Sequence, residues 1–260
     1  MRGGARPGGP REIGAPRRVH ACHEAMRGVI QGALAERVRA AGRDLPGGVA
    51  LFDADGTLWR EDVGEAFLRH LVSLGLVQLP DGSDPYEAYE RAVDRDRASG
   101  YAYAAQLQAG LEVRRVEAEA RRFAAGWVPP RLVGDVTRLR ELSDSAGLLP
   151  MVVSASALPI VVAAAPLAGF AIDGCRGIEV IVRDGRFTTE VLQPIAYAAG
   201  KIAAVRKAGR IALACGDSLT GDLAMLEAAQ VAVVVAPRSG SPLSAEAQRR
   251  GWPVLDQDSR

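Results

Sequence analysis

Ten residues constrain this chain more than any others: Val49-Ala50-Leu51-Phe52-Asp53-Ala54-Asp55-Gly56-Thr57-Leu58, an apolar run that stops at two carboxylates and a glycine. A buried strand ending in paired acids delivers charge to the carboxyl edge of a sheet, where open α/β folds collect ligands. Residues i and i+2 of a strand point the same way. With the chain turning at Gly56, Asp53 and Asp55 can therefore address one small, highly charged group. That arrangement suits phosphoryl transfer assisted by a metal. Standing alone, an Asp-x-Asp-Gly-Thr could also be an ordinary turn, since aspartate and glycine cluster there.

Three further segments accompany it in order. Leu149-Pro150-Met151-Val152-Val153-Ser154 is a second apolar run, ending in a hydroxyl that can donate to a phosphate oxygen without adding charge. Ser154 equally suits the N-cap of a helix over Ala155 to Ala165, and the two roles are compatible because a helix amino end is itself an anion site. Lys201 opens the helical run to Arg206, where a lysine in isolation is a solvated surface residue. Ile211 to Gly216 is a third buried strand, and it empties into Asp217 and Asp222. Hard divalent cations prefer oxygen ligands, so acids at the ends of separate strands make a plausible magnesium site.

These four segments, Asp53-Ala54-Asp55-Gly56-Thr57, Ser154, Lys201 and Gly216-Asp217 with Asp222, resemble the motifs of the haloacid dehalogenase-like phosphohydrolases, in the family's order and over most of the chain. The resemblance implies that Asp53 is the nucleophile of an aspartyl-phosphate mechanism and that Asp55 is the acid and base. It implies that Ser154 and Lys201 hold the phosphoryl oxygens, while Thr57 fixes the turn and touches the phosphate. Asp53, the carbonyl of Asp55 and Asp217 would ligate Mg2+, with Asp222 a further ligand or an orienting partner of Lys201. An acid at position 55 favours a phosphatase over a dehalogenase, which has no leaving alcohol to protonate. A phosphotransferase or phosphomutase of the same fold, or a non-catalytic phosphate binder, would carry the same motifs.

The implied fold is α/β: a Rossmann-like, doubly wound parallel sheet with an inserted α-helical cap, as in the phosphoserine phosphatase-like branch. Residues 21–60 and 131–260 would form the core and 61–130 the cap. Within the latter, Asp62 to Leu74, Pro85 to Arg97 and Ala102 to Ala125 read as helices, and Pro129-Pro130 marks the return to the core, where Arg131 to Ser145 is helical. A leading helix is expected over Glu24 to Ala41. Ile178 to Glu190 alternates on both sides of Asp184-Gly185, a hairpin signal that would add antiparallel structure near the site. Leu223 to Ala229 reads as a helix and Val231 to Val235 as a buried strand, followed by a polar end.

Composition narrows the function classes. A chain of 260 residues with net charge +1 has no basic excess for nucleic acid, and no apolar run approaches the ~20 residues of a membrane span. Cys22, Cys175 and Cys215 are odd in number and scattered, against a disulfide framework and in keeping with a reducing cytoplasm. His20, His23 and His70 form no zinc set with them. Residues 1–20, rich in Gly, Pro and Arg, read as a disordered basic tail. The expected partner is a small phosphomonoester, with the cap or leading helix available for a homodimer contact. Glu61, Asp62 and Glu65 could meet an ammonium group covered by Trp59, or simply favour a helix dipole, with Trp59 packing beside a cap. Arg91, Arg95 and Arg97 could take a substrate carboxylate, or lie on a solvated face.

Overall fold

The computed structural model describes residues 32–259. The expected tail and the cluster of His20, Cys22 and His23 lie outside the described residues. Helix α1 (32–44) buries Leu34, Val38 and Ala41, spaced along one face as the leading apolar periodicity requires.

Six parallel strands form one sheet in the order β3 (Cys175–Ile178), β2 (Leu149–Ala157), β1 (Val49–Asp53), β6 (Ile211–Gly216), β7 (Val231–Ala236) and β8 (Val254–Asp256). The apolar runs of β1, β6 and β7 are buried along their whole length, as strands covered on both faces must be. Alternate residues serve opposite faces. Ala50, Phe52 and Val152 join α1, α6 (Gly134–Ser145) and α7 (Leu158–Ala164) in one apolar cluster. Val49, Leu51, Met151 and Val153 join α8 (Ala199–Val205), α9 (Leu223–Ala228) and α10 (Pro242–Arg250) in the other. The sheet is therefore doubly wound, as expected. Register does the functional work: Asp53 pairs with Val153, and Phe52 with Cys215. The carboxyl ends of β1, β2 and β6 thus finish side by side, with Ser154 and Asp217 next to Asp53.

Four helices, α2 (Val63–Ser73), α3 (Pro85–Arg95), α4 (Arg97–Gln106) and α5 (Val113–Trp127), fill the insertion between β1 and β2. The long helix expected over Ala102 to Ala125 is two helices. Gly110, with φ of 82°, turns the chain, and Gly110 N donates to Phe187 O while Phe187 N donates to Leu111 O. Those partners belong to the hairpin of β4 (Val180–Arg183) and β5 (Arg186–Val191), whose Asp184-Gly185 turn has positive φ at both positions, as a two-residue hairpin demands. The hairpin braces the α4–α5 turn, and its strands do not line the acidic cavity where antiparallel structure was expected. At the other end, the polar segment conceals α10 and β8. Ser241 caps α10 through a reciprocal bond with Ser244, ahead of Pro242 at the first turn.

Helices α3 and α4 meet at Gly100, where a Cβ would stand 2.5 Å from the Val93 backbone nitrogen. Overpacking typically costs about 1–3 kcal/mol, more than the roughly 1 kcal/mol an alanine adds as a helix former. Gly100→Ala is expected to lower the urea midpoint of unfolding. An unchanged or raised midpoint would show that the two helices are free to separate.

Candidate active site

The turn after β1 is set by Gly56, with φ of 83°. A Cβ there would lie 2.3 Å from Asp217 Oδ2, so only glycine lets the β1 and β6 loops close enough for Asp217 to stand beside Asp53. Thr57 is fully buried and donates its hydroxyl to Asp217 Oδ1 at 3.3 Å. It thereby orients an acid and takes no place in the cavity wall.

Lys201 is buried at the start of α8, with Nζ 2.5 Å from Asp53 Oδ1 and 2.7 Å from Asp222 Oδ1. Asp222 in turn accepts on Oδ2 from the backbone N–H groups of Asp217 (3.0 Å) and Ser218 (2.9 Å). Both its oxygens are therefore committed within the protein. Burial works against the Lys201 ammonium, but Asp222 and Asp53 outweigh it and hold the lysine above its ordinary range. The same burial, with repulsion from Asp222, pushes Asp53 up against the pull of Lys201. Burial and Asp222 also push Asp217 up to about 7. Asp53, Asp217 and Asp222 each offer an oxygen within a 4.8 Å span. With both Asp222 oxygens engaged, Asp53 and Asp217 are the members of this cluster left with carboxylate oxygens suited to a hard divalent cation.

Asp55 is held differently. Its Oδ1 accepts from Trp59 Nε1 (2.9 Å) and Val63 N (2.8 Å), and its Oδ2 from the hydroxyls of Ser154 (2.8 Å) and Ser156 (2.9 Å). Ser154 does not cap a helix. Strand β2 runs on to Ala157, and α7 begins only at Leu158, ahead of Pro159. Ser154 and Ser156 consequently point to one side of the strand. The Ser-Ala-Ser alternation was the signal for Ser156, which sequence reasoning passed over. Trp59 is fully buried and spends its indole N–H on Asp55, so it does not cover a ligand.

A cavity of about 130 Å³ opens over these groups, walled by Asp53, Asp55, Lys201, Asp217 and Asp222 on the sheet side. The insertion supplies Asp62, Glu65, Tyr89, Tyr101 and Gln108, and the loop before α8 supplies Tyr197. Asp62 caps α2 by accepting from Glu65 N at 2.8 Å, and burial with Asp55 nearby raises its carboxyl. Of the other expected ligand-binding charges, Glu61 lies outside the wall and pairs with Arg131 at 3.1 Å. Arg91 and Arg95 also lie off it, Arg91 facing Glu87. Arg97 binds Thr220 Oγ1 at 3.0 Å, tying the insertion to the loop that carries Asp217 and Asp222. The tyrosines and Gln108 had no sequence signal, because only packing of the insertion brings them to the strand ends.

A family model for haloacid dehalogenase-like hydrolases matches residues 50–227. No curated protein matches the chain in sequence. Among solved structures, a protein of unknown function from Bordetella pertussis Tohama I superposes with a TM-score of 0.69 at 22% identity, over 80% of this chain and 98% of the other. A phosphoserine phosphohydrolase-like protein from Francisella tularensis gives 0.53 at 16% identity, over 80% and 94%. A substrate-bound phosphoserine phosphatase gives 0.52 at 16%, over 76% and 89%. At these identities the likeness is one of fold.

The Asp217 carboxyl carries a pH-dependent consequence. With its value near 7 in the folded chain and ordinary when unfolded, its stabilising contribution is complete at low pH and lost as pH rises through about 7. A divalent cation bound to this cluster would take the proton's place. Saturating Mg2+ is expected to raise Tm by about 5–10 °C at about pH 8, and by less at about pH 5.5. Differential scanning fluorimetry should show most of that rise lost in Asp217→Asn; an equal rise in the variant would rule this cluster out as the metal site.

Proposed function

Because the chain belongs to the haloacid dehalogenase-like hydrolase family, we propose that it is a Mg2+-dependent phosphomonoester hydrolase working through an aspartyl-phosphate on Asp53, with a small phosphoserine-like or amino-alcohol phosphate as substrate. The observation that carries this reading is the unlike treatment of two acids two residues apart. Asp53 is buried and gripped by Lys201, whereas Asp55 faces the cavity on rotatable hydroxyls.

In this reading Asp53 attacks phosphorus and the leaving alkoxide takes a proton from Asp55. Lys201 fixes the plane of the nucleophile through Oδ1. On Asp55 the Oδ1 partners are N–H groups that can only donate, so a transferable proton belongs on Oδ2. There the Ser154 and Ser156 hydroxyls can turn to accept. In the second step Asp55 accepts a proton from water as the water attacks phosphorus, releasing orthophosphate and restoring Asp53. Magnesium, held by the carboxylates of Asp53 and Asp217 and the carbonyl of Asp55, would supply positive charge against the phosphoryl oxygens. Asp222, with both oxygens engaged, orients Lys201 and the loop. Helices α2–α5 act as the cap that selects the leaving group. The fold likeness to phosphoserine phosphatases supports a small substrate bearing an amine.

Phosphate release from a panel of small phosphomonoesters, with and without Mg2+, tests the proposal. Turnover is expected only with the metal. It should be lost in Asp53→Asn and reduced about 10²–10⁴-fold in kcat in Asp55→Asn. Undiminished release by Asp53→Asn would refute the covalent mechanism.

A further inference from the structure

We propose that the insertion's wall of the cavity is a subsite for a cationic leaving group that carries no carboxylate, so that the substrate is an ammonium-bearing alcohol phosphate and not phosphoserine; this rests on the phosphomonoesterase reading above. The charge balance of the wall is the first reason. Among the described residues lining the cavity, Lys201 is the one cation, and it is already shared between Asp53 and Asp222. A substrate carboxylate would therefore meet no positive partner beyond the phosphoryl site. It would meet Glu65 instead, at the cost of like-charge contact.

Glu65 is built to stay in place. Tyr86 donates to its Oε2 at 3.0 Å and Tyr89 to its Oε1 at 3.1 Å, two neutral donors that fix the carboxylate without cancelling its charge. Arg69 lies over the Tyr86 ring, 3.5 Å from its centroid, and is not part of the cavity wall. Aromatic rings supply the second reason. Tyr89, Tyr101 and Tyr197 line the same space, with the rings of Tyr101 and Tyr197 5.2 Å apart and tilted by 58°. Carboxylates beside several tyrosine faces recognise ammonium groups by charge and by cation–π attraction.

Gln108 is the third and independent reason. It is only 4% exposed and lines the cavity from the α4–α5 turn, which places its amide to meet a polar group of the ligand. The turn that carries it is held by the hairpin, through Gly110 and Phe187, and does not depend on the strand ends.

The test compares kcat/KM for phosphocholine, phosphoethanolamine, O-phosphoserine and glycerol phosphate, all with Mg2+. Both ammonium esters are expected to exceed the other two by about tenfold. A lead for phosphocholine would assign the reading mainly to the rings, and a lead for phosphoethanolamine to the carboxylates. Glu65→Gln, which keeps the shape of the side chain, should cut the ratio of phosphocholine to glycerol phosphate about tenfold, and Tyr101→Leu should cut it about threefold. Equal rates for all four esters, first place for phosphoserine, or an unchanged ratio in both variants would overturn the subsite and leave the phosphomonoesterase intact. Turnover of none of the four but of other small phosphomonoesters would overturn the subsite alone, and turnover of no phosphomonoester at all would overturn the phosphomonoesterase reading with it.

Discussion

One buried ammonium, that of Lys201, holds three parts of this molecule in register. Taking an ion out of water carries an effective penalty of several kcal/mol, offset only when its partners are close and well aimed. Lys201 meets that condition with carboxylates at 2.5 and 2.7 Å, one at the end of β1 and the other in the loop after β6. Leaving one partner of such a group uncompensated typically costs about 3–5 kcal/mol. The docking of α8, the end of β1 and the fold of the 217–222 loop therefore stand or fall together. The same contact that orders the core also orients Asp53, the proposed nucleophile.

The rest of the site follows from parallel register. Because β1 lies between β2 and β6, anything at the carboxyl end of these strands converges on Asp53, and each neighbour delivers a different chemistry. Strand β2 brings two hydroxyls to Asp55, and β6 brings Asp217, whose carboxylate stands beside Asp53. The insertion closes the remaining side. Its first helix starts at Asp62, so the acid that caps α2 is also part of the cavity wall. Arg97 and the Tyr101–Tyr197 contact bind it to the core across that cavity. Helix packing in the insertion and charge at the strand ends are thereby two sides of one space.

What could be read from sequence divides along physical lines. Asp53, Asp55, Asp217 and Asp222 could be placed at one sheet edge because they close strongly patterned strands, whereas Lys201, in isolation a solvated surface residue, was singled out only by the family resemblance. The Asp-Gly turn of the hairpin was legible because its backbone geometry admits few residues. Ser154 was read as a phosphate donor and a helix cap, but its buried hydroxyl goes to Asp55 and its strand runs three residues further, which nothing local tells from a helix that starts early. The break between α4 and α5 escaped notice because an isolated glycine is tolerable in a helix. Its cause is a pair of hydrogen bonds to a hairpin some 75 residues away in sequence, between Gly110, Leu111 and Phe187. Helix α10 and strand β8 were hidden by polar composition, since an edge element needs few apolar residues. Trp59, open in sequence to either ligand contact or packing, is a buried donor to Asp55.

The central claim is that Asp53 becomes covalently phosphorylated. Rapid acid quench during turnover, followed by peptide mass mapping, measures this directly. The account predicts one added phosphoryl group on the peptide containing Asp53, removable by hydroxylamine as an acyl phosphate must be, and accumulating when Asp55→Asn slows its hydrolysis. Catalytic turnover with no phosphoryl group on Asp53, or with one carried by another residue, would contradict it.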